Sequence, residues 1–372
     1  MKHFSTKAVH AGAARDVLGA ISPPLYLATN YEHLPTGAML NGFVYTSIDN
    51  PVQQRLENAL AVLEGGKNAI VYGSGTAAGV AVLQALPRGS HVLFPDDLFY
   101  GYPPLIDEFL PRWGIEASYV DMSNLATLEG AMRANTSAIF AETPSNPLMK
   151  ITDIRSAAEI AHDRGAILVV DSTFATPVLT RPLELGADVV LQSTTKYLGG
   201  HSDTQSGALI FKDDGDLYDL VLHNRKIYGS IASPFSSWLI LRGLRTLELR
   251  LKAHSDSALK VARALGENPR VLQVNYPGLV THNGHEIAVR QMSPGFGGML
   301  SVRVKGGAHA AVRVASSVGL FVNAGSFGGP ESLIRHTHST SPQPGVPEDL
   351  LRIFVGLEHA DDLIADLETA LA

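Results

Sequence analysis

Lys196 stands in the run Ser193-Thr194-Thr195-Lys196-Tyr197-Leu198-Gly199-Gly200-His201, directly after the apolar segment 189–192. A lysine just past a buried strand can bond an aldehyde if burial or a neighbouring cation keeps its amine neutral. Ser193 and Thr195 set hydroxyls beside it, as a phosphate requires. Upstream, the apolar run 167–171 ends in Asp171. A carboxylate at a strand end can hold a pyridine nitrogen protonated, the state in which pyridoxal phosphate is an electron sink. Taken singly, a loop lysine is most often solvated and a strand-end aspartate most often caps a turn. Together, on consecutive strand ends, they form the donor set of that cofactor.

Three further groupings add to it. Gly73-Ser74-Gly75-Thr76-Ala77-Ala78 follows one predicted strand and opens a helix. Such a turn offers backbone N–H groups and a helix N-terminus to an anion. It is neither a Walker motif nor the six-residue dinucleotide pattern. Its bland alternative is a tight turn. Thr143-Pro144-Ser145-Asn146-Pro147 fixes Asn146 between two prolines, as a rigid loop or as a preorganised cofactor contact. Arg352 lies inside the apolar run 350–357 and needs a partner, either a structural carboxylate or the carboxylate of a substrate. His201, His336 and His338 lack metal-ligand spacing, so no metal is expected.

These residues must be carried by an α/β scaffold. Apolar runs at 69–72, 91–95, 117–121, 137–141, 167–171, 189–192 and 208–211 read as strands. Helical spacing is found at 52–63, 76–86, 104–113, 124–133 and 153–164. The alternation predicts a mostly parallel sheet covered on both faces, with ligands outside the carboxyl ends of its strands. Residues 1–50 read as an irregular arm draped over a neighbour, 51–235 as the large domain, and 236–372 as a smaller C-terminal α/β domain. A long helix over 238–265 connects the two, with Leu241, Leu244, Leu247 and Leu251 on one stripe. The chain has 372 residues, a net charge of −7 and no cysteine. That excludes disulfides and thiolate chemistry and argues against a nucleic-acid surface. With no apolar stretch approaching a membrane span, a cytoplasmic enzyme without membrane partners is expected.

The sequence resembles the pyridoxal-phosphate enzymes of cysteine and methionine metabolism: cystathionine γ-synthase, cystathionine γ-lyase, methionine γ-lyase and O-acylhomoserine sulfhydrylase. The matching text includes 45–51, 63–66, Ser145-Asn146-Pro147, 170–174, 185–188, 193–196, 200–203, 241–247, 276–279, 328–333 and 352–358. The resemblance implies fold type I, a mostly parallel seven-stranded sheet plus the smaller domain, and a homotetramer built as a dimer of dimers. It implies that Lys196 bonds the cofactor and shuttles protons, and that Asp171 pairs with the ring nitrogen. Gly75, Thr76, Ser193 and Thr195 would hold the phosphate, with Thr173 and Asn146 also contacting the cofactor. Tyr45 would reach the phosphate of the neighbouring subunit. Asn146, Ser326 and Arg352 would orient the carboxylate of a small amino-acid substrate.

Three positions depart from the family pattern. Ser47 replaces the arginine two residues after Tyr45, Phe99 occupies the place of the cofactor-stacking tyrosine, and Gly325 replaces a glutamate before Ser326. Phe99 can stack but cannot move a proton, so Tyr100, Tyr102 or Lys196 would have to supply that step. The expected activity is γ-elimination or γ-replacement on a sulfur-containing or homoserine-derived amino acid, of the γ-lyase or of the γ-synthase and sulfhydrylase kind. A fold-related aminotransferase and a degenerate homologue acting as a binding or assembly subunit are the alternatives.

Overall fold

The computed structural model describes residues 2–13 and 16–372. Seven strands form the larger sheet: β1 (Asn68–Tyr72), β2 (His91–Pro95), β3 (Glu116–Val120), β4 (Thr136–Glu142), β5 (Ile167–Asp171), β6 (Val189–Gln192) and β7 (Gly207–Phe211). Their order is β1-β7-β6-β5-β4-β2-β3. Only the pairings of β7 with β1 and β6 are antiparallel. β2, β4, β5, β6 and β7 are buried along nearly their whole length, as expected of strands covered on both faces. β4, β5 and β6 lie side by side, so Glu142, Asp171 and the residues after Gln192 emerge at one edge. In register, Glu142 faces Asp171 and Asp171 faces Leu191.

The second sheet runs β10-β11-β12-β9-β8. Its strands are β8 (Val271–Asn275), β9 (Met299–Val304), β10 (Val322–Asn323), β11 (Leu333–His336) and β12 (Leu350–Phe354). The helices Leu247–Glu267, Gly307–Ser317 and Ala360–Leu371 bury Val261, Leu265, Val314, Leu363 and Leu367 in a core with the strand residues Leu300, Val302, Ile334 and Ile353.

Four features differ from the sequence reading. The expected helix over 238–265 is two helices, Pro234–Leu244 and Leu247–Glu267. A Cβ at Gly243 would overlap the Gly199 carbonyl oxygen, so the first helix comes into direct backbone contact with the loop after Lys196. At the break, Arg250 donates to the Gly243 carbonyl (2.8 Å), the Tyr197 carbonyl (2.7 Å) and the Thr246 hydroxyl (3.1 Å). It thereby supplies donors where the helical ladder stops. The segment 104–113 contains a π-turn, Leu105–Phe109, in which the Leu110 N–H donates to the Leu105 carbonyl. Pro111 has no N–H for the Asp107 carbonyl, which favours the wider turn. The helix Asp216–Tyr228 was not expected from its sparse apolar residues. Its buried Arg225 fastens it to the Ile48 carbonyl (3.0 Å) and to Glu57 (3.4 Å). Finally, the arm is not wholly irregular, since Phe4–His10 is helical and buries Ala8.

Helix Pro234–Leu244 packs on Pro51–Glu64, on the large-sheet side of the boundary expected at 235/236. Residues 16–49 form no helix or named strand, and Val17, Leu18 and Ile21 are 94%, 91% and 87% exposed. Among the described residues, no helix is long and apolar enough to cross a membrane.

Candidate active site

A cavity of about 160 Å³ opens at the carboxyl ends of β4, β5 and β6. Asp171, Thr173, Ser193, Thr195, Lys196, Gly75, Thr76, Asn146 and Phe99 line it, which brings together most of the residues singled out in the sequence.

Asp171 closes one end. Its Oδ1 accepts from the Thr173 N–H (3.0 Å) and the Thr173 hydroxyl (2.5 Å), and Oδ2 has no partner among the described residues. Burial pushes the carboxyl up to about 6, opposed by the Thr173 bonds. The Thr173 oxygen in turn accepts from the Ser193 N–H at 2.9 Å, tying the turn after β5 to the loop after β6.

The second end is the N-terminus of the helix Gly75–Gln84. Ser74 caps it, accepting from the Ala77 N–H at 3.0 Å. The N–H groups of Gly75 and Thr76 stay unbonded within the helix. A Cβ at Gly75 would lie 2.8 Å from the Ser193 Cβ, so glycine lets the two loops meet. The Thr195 hydroxyl is committed elsewhere. It donates to the Ser206 carbonyl (2.9 Å) and accepts from the Ser206 N–H (3.0 Å), bracing the lysine loop against the start of β7.

Lys196 Nζ donates to Ser326 Oγ at 2.7 Å and sits 5.1 Å above the Phe327 ring. Burial, then the Arg352 charge, brings its amine down to about 8. Ser326 comes from the second domain and holds a left-handed backbone (φ +81°), costly for a non-glycine residue outside a functional site. Its carbonyl accepts from Arg352 Nη2 at 2.6 Å, and Arg352 Nη1 reaches Asn146 Oδ1 at 3.4 Å. Arg352 is buried and has no carboxylate within 4 Å among the described residues, so no structural ion pair accounts for it. Burial, then Arg335, brings its guanidinium down to about 10.

Tyr45 does not line the cavity of its own chain and is half exposed. Phe99 forms a wall of the cavity, its N–H bonded to Glu142 Oε2 at 2.8 Å. Tyr100 turns away, under the guanidinium of Arg335. Tyr102 instead lines the cavity, edge-on to Phe99 and Phe140, and a methyl group at Gly79 would overlap its hydroxyl.

Glu142 and Gln205, both lining the cavity, were missed in the sequence. Burial, then Asp171, raises the Glu142 carboxyl well above the usual range. A carboxylate ending the apolar run 137–141 was the available signal, the same one that marked Asp171. Among the described residues, no cluster of three histidines or carboxylates could hold a metal ion.

The arrangement fits pyridoxal phosphate: a carboxyl oxygen left unbonded at one end, free N–H groups with Ser193 at the other, and a depressed amine beside a ring-sized wall. Comparison with known proteins agrees. The model of the family "Cys/Met metabolism PLP-dependent enzyme" matches residues 5–372. Cystathionine gamma-synthase of Mycobacterium tuberculosis is 44% identical over 375 residues, covering 99% of this chain and 96% of that protein. Cystathionine beta-lyase of Coxiella burnetii is 39% identical over 380 residues, covering 99% and 98%. The crystal structure of metB from Corynebacterium glutamicum superposes with a TM-score of 0.97 at 41% identity, covering 100% of this chain and 98% of that one.

Proposed function

We propose, from the premise that this chain belongs to the Cys/Met metabolism PLP-dependent enzymes, that it carries out γ-replacement or γ-elimination on a homoserine-derived or sulfur-containing amino acid. Its cofactor is pyridoxal 5'-phosphate. When bound, that group supplies the electron sink for charge left on the substrate's α-carbon.

The chain's own residues do the rest. Asp171 Oδ2 holds the proton on the ring nitrogen. Gly75, Thr76 and Ser193 bind the phosphate, and Thr195 keeps the loop in place. Phe99 and Phe327 exclude water from the ring and amine. Arg352, oriented by Asn146 and the Ser326 carbonyl, binds the α-carboxylate. Lys196 Nζ moves the protons: with a pKa of about 8, about a tenth of it is neutral at pH 7. Carrying the reading is one observation, the chain Lys196–Ser326–Arg352, which sets a depressed amine beside a buried guanidinium that has no carboxylate within 4 Å among the described residues. Phe99 leaves Lys196 as the proton carrier in reach, since Tyr102 lies on the Asp171 side.

γ-Replacement is placed first because the γ-synthase relative is 44% identical, against 39% for the β-lyase, at the same coverage of this chain. A homotetramer comes from the family resemblance, and a cytoplasmic setting from the lack of a long apolar stretch in the sequence. The exposed apolar arm that bears Tyr45 supports assembly.

The test is the visible spectrum of the cofactor-loaded protein mixed with O-acetylhomoserine, L-cystathionine and L-methionine, with products identified by mass spectrometry. Cystathionine formed from O-acetylhomoserine plus cysteine supports replacement, and a 2-keto acid without cysteine supports elimination. No spectral change and no product would leave the binding-subunit alternative.

A further inference from the structure

The loop that carries Asn146 is held from outside by one carboxylate. Asp97 follows β2 and is 2% exposed. Its Oδ2 accepts from the Ser145 hydroxyl and from the Leu148 N–H (2.9 Å), so a single oxygen ties the chain on both sides of Asn146-Pro147. Ser145 Oγ accepts in turn from the Lys150 N–H at 2.8 Å, and the Ser145 N–H donates to the Lys150 carbonyl at 3.0 Å, closing the loop on itself. Within it the buried Met149 takes a left-handed backbone (φ +60°), which a residue other than glycine holds only where its surroundings enforce it.

Two parts of the active site meet at this carboxylate. Asp97 lies two residues before Phe99, a wall of the cavity. Through Ser145 and Leu148 it grips the neighbours of Asn146, whose Oδ1 is the side-chain partner of Arg352 Nη1 at 3.4 Å. That contact is already long for a hydrogen bond, so a small displacement of the loop breaks it.

Asp97 Oδ1 is buried with no partner among the described residues. The side chain therefore holds the loop through Oδ2 alone. A proton taken up on Oδ1 would find no acceptor and would cost the two bonds at Oδ2 the strength that charge gives them. The charged groups around it are Asp96 on its own segment, Lys150 on the clamped loop and Glu142 at the end of β4. Burial, opposed by the Ser145 and Leu148 bonds and by Lys150, brings its carboxyl up to about 6.

We propose that Asp97, in its ionised form, is a positioning residue for the substrate's α-carboxylate: by clamping Ser145 and Leu148 it sets Asn146 against Arg352. The inference rests on the assignment of Arg352 made above and adds what keeps that receptor in shape.

The experiment uses cofactor-loaded enzyme and two amines that differ only in the α-carboxylate, L-norleucine and pentylamine. Neither has a γ leaving group, and affinities are read from the cofactor's visible absorbance. Their ratio isolates the carboxylate contact, because titrations that weaken both ligands alike cancel. At about pH 7.5 the wild type is expected to favour norleucine by about tenfold or more, as charge-assisted bonds to a carboxylate imply. Asp97→Ala lowers that ratio by roughly fivefold, while the affinities for pentylamine and for pyridoxal phosphate hold within about twofold. The wild-type ratio also declines toward the Asp97→Ala value between about pH 7.5 and 5. Asp97→Asn, which keeps an acceptor oxygen and does not titrate, gives a level line. A ratio unchanged in Asp97→Ala, or a pH decline absent from the wild type or shared by Asp97→Asn, overturns the proposal and leaves Arg352 in place. Equal loss of both ligands in Asp97→Ala marks a merely structural residue and overturns it as well. A wild-type ratio near one overturns the Arg352 assignment together with the proposal. If Asp97→Ala does not fold, the pH comparison between wild type and Asp97→Asn decides alone.

Discussion

At the Asp171 end of the cavity, polar atoms are fixed by near neighbours: Asp171 by Thr173 and Thr173 by Ser193, all at the ends of two adjoining strands of one sheet. The Arg352 end is assembled differently. Arg352 meets Asn146 across the domain boundary, Lys196 meets Ser326, and the cations there have no carboxylate within 4 Å among the described residues. One end is held in place by its own neighbours before any ligand arrives, with Asp171 Oδ2 left open for the cofactor, while the other is left with charge to satisfy. A site divided in this way keeps its cofactor and chooses its substrate through separate sets of contacts.

Replacing Lys196 by alanine removes the one group that belongs to both ends. Activity should fall by about 10⁴-fold or more, the upper range for a positioned acid–base group, measured as product formation under saturating cofactor. A residual rate above a hundredth of wild type would mean that another base acts. Arg352→Lys tests the open end alone. Losing bidentate bonds to a carboxylate, worth about 1.5–3 kcal/mol, should lower kcat/KM by about a hundredfold. Cofactor affinity, read by absorbance titration, should hold within about twofold, and a joint loss of both would erase the distinction between the ends.

Thr173→Val probes the closed end. It strips Asp171 of a hydroxyl donor and leaves the Ser193 N–H unpaired, a cost of about 1–3 kcal/mol. The dissociation constant for pyridoxal phosphate should rise by about tenfold, with little change in KM once the enzyme is loaded. The smallest effect is expected from Glu64→Gln, beneath β6. Glu64 is buried against Gln192 (2.7 Å), and burial lifts its carboxyl to about 8 from the ordinary 4.5. Between those values the folded protein holds a proton that the unfolded chain has released, so wild-type stability falls as pH rises. The variant lacks this slope. Between pH 6 and 7 the wild type should lose about 1 kcal/mol more than the variant in chemical denaturation of the cofactor-free protein. Parallel curves would show that Glu64 ionises freely.

The same division explains what the sequence made legible. Asp171, Ser193 and Lys196 could be read because each sits at the end of an apolar run, and β2, β5 and β6 begin and end where those runs do. Glu142 ends a strand as well, yet its meaning depends on the register that sets it opposite Asp171, which a single strand does not state. Asp97 lies in a run where nothing local distinguishes it from a solvated aspartate. Only its bonds to Ser145 and Leu148, far along the chain, do so. The broken helix followed a leucine stripe that continues through Arg245-Thr246, and the interruption comes from the lysine loop and Arg250, distant in sequence. Thr195 was read as a phosphate ligand from its neighbourhood, whereas its hydroxyl is bound to Ser206.

Gly79 and Tyr102 share one volume, since a side chain at the first would overlap the phenol of the second. The two positions are therefore coupled: a larger residue at 79 must displace the phenol, so Gly79→Ala should be tolerated better alongside a smaller residue at 102 than alone.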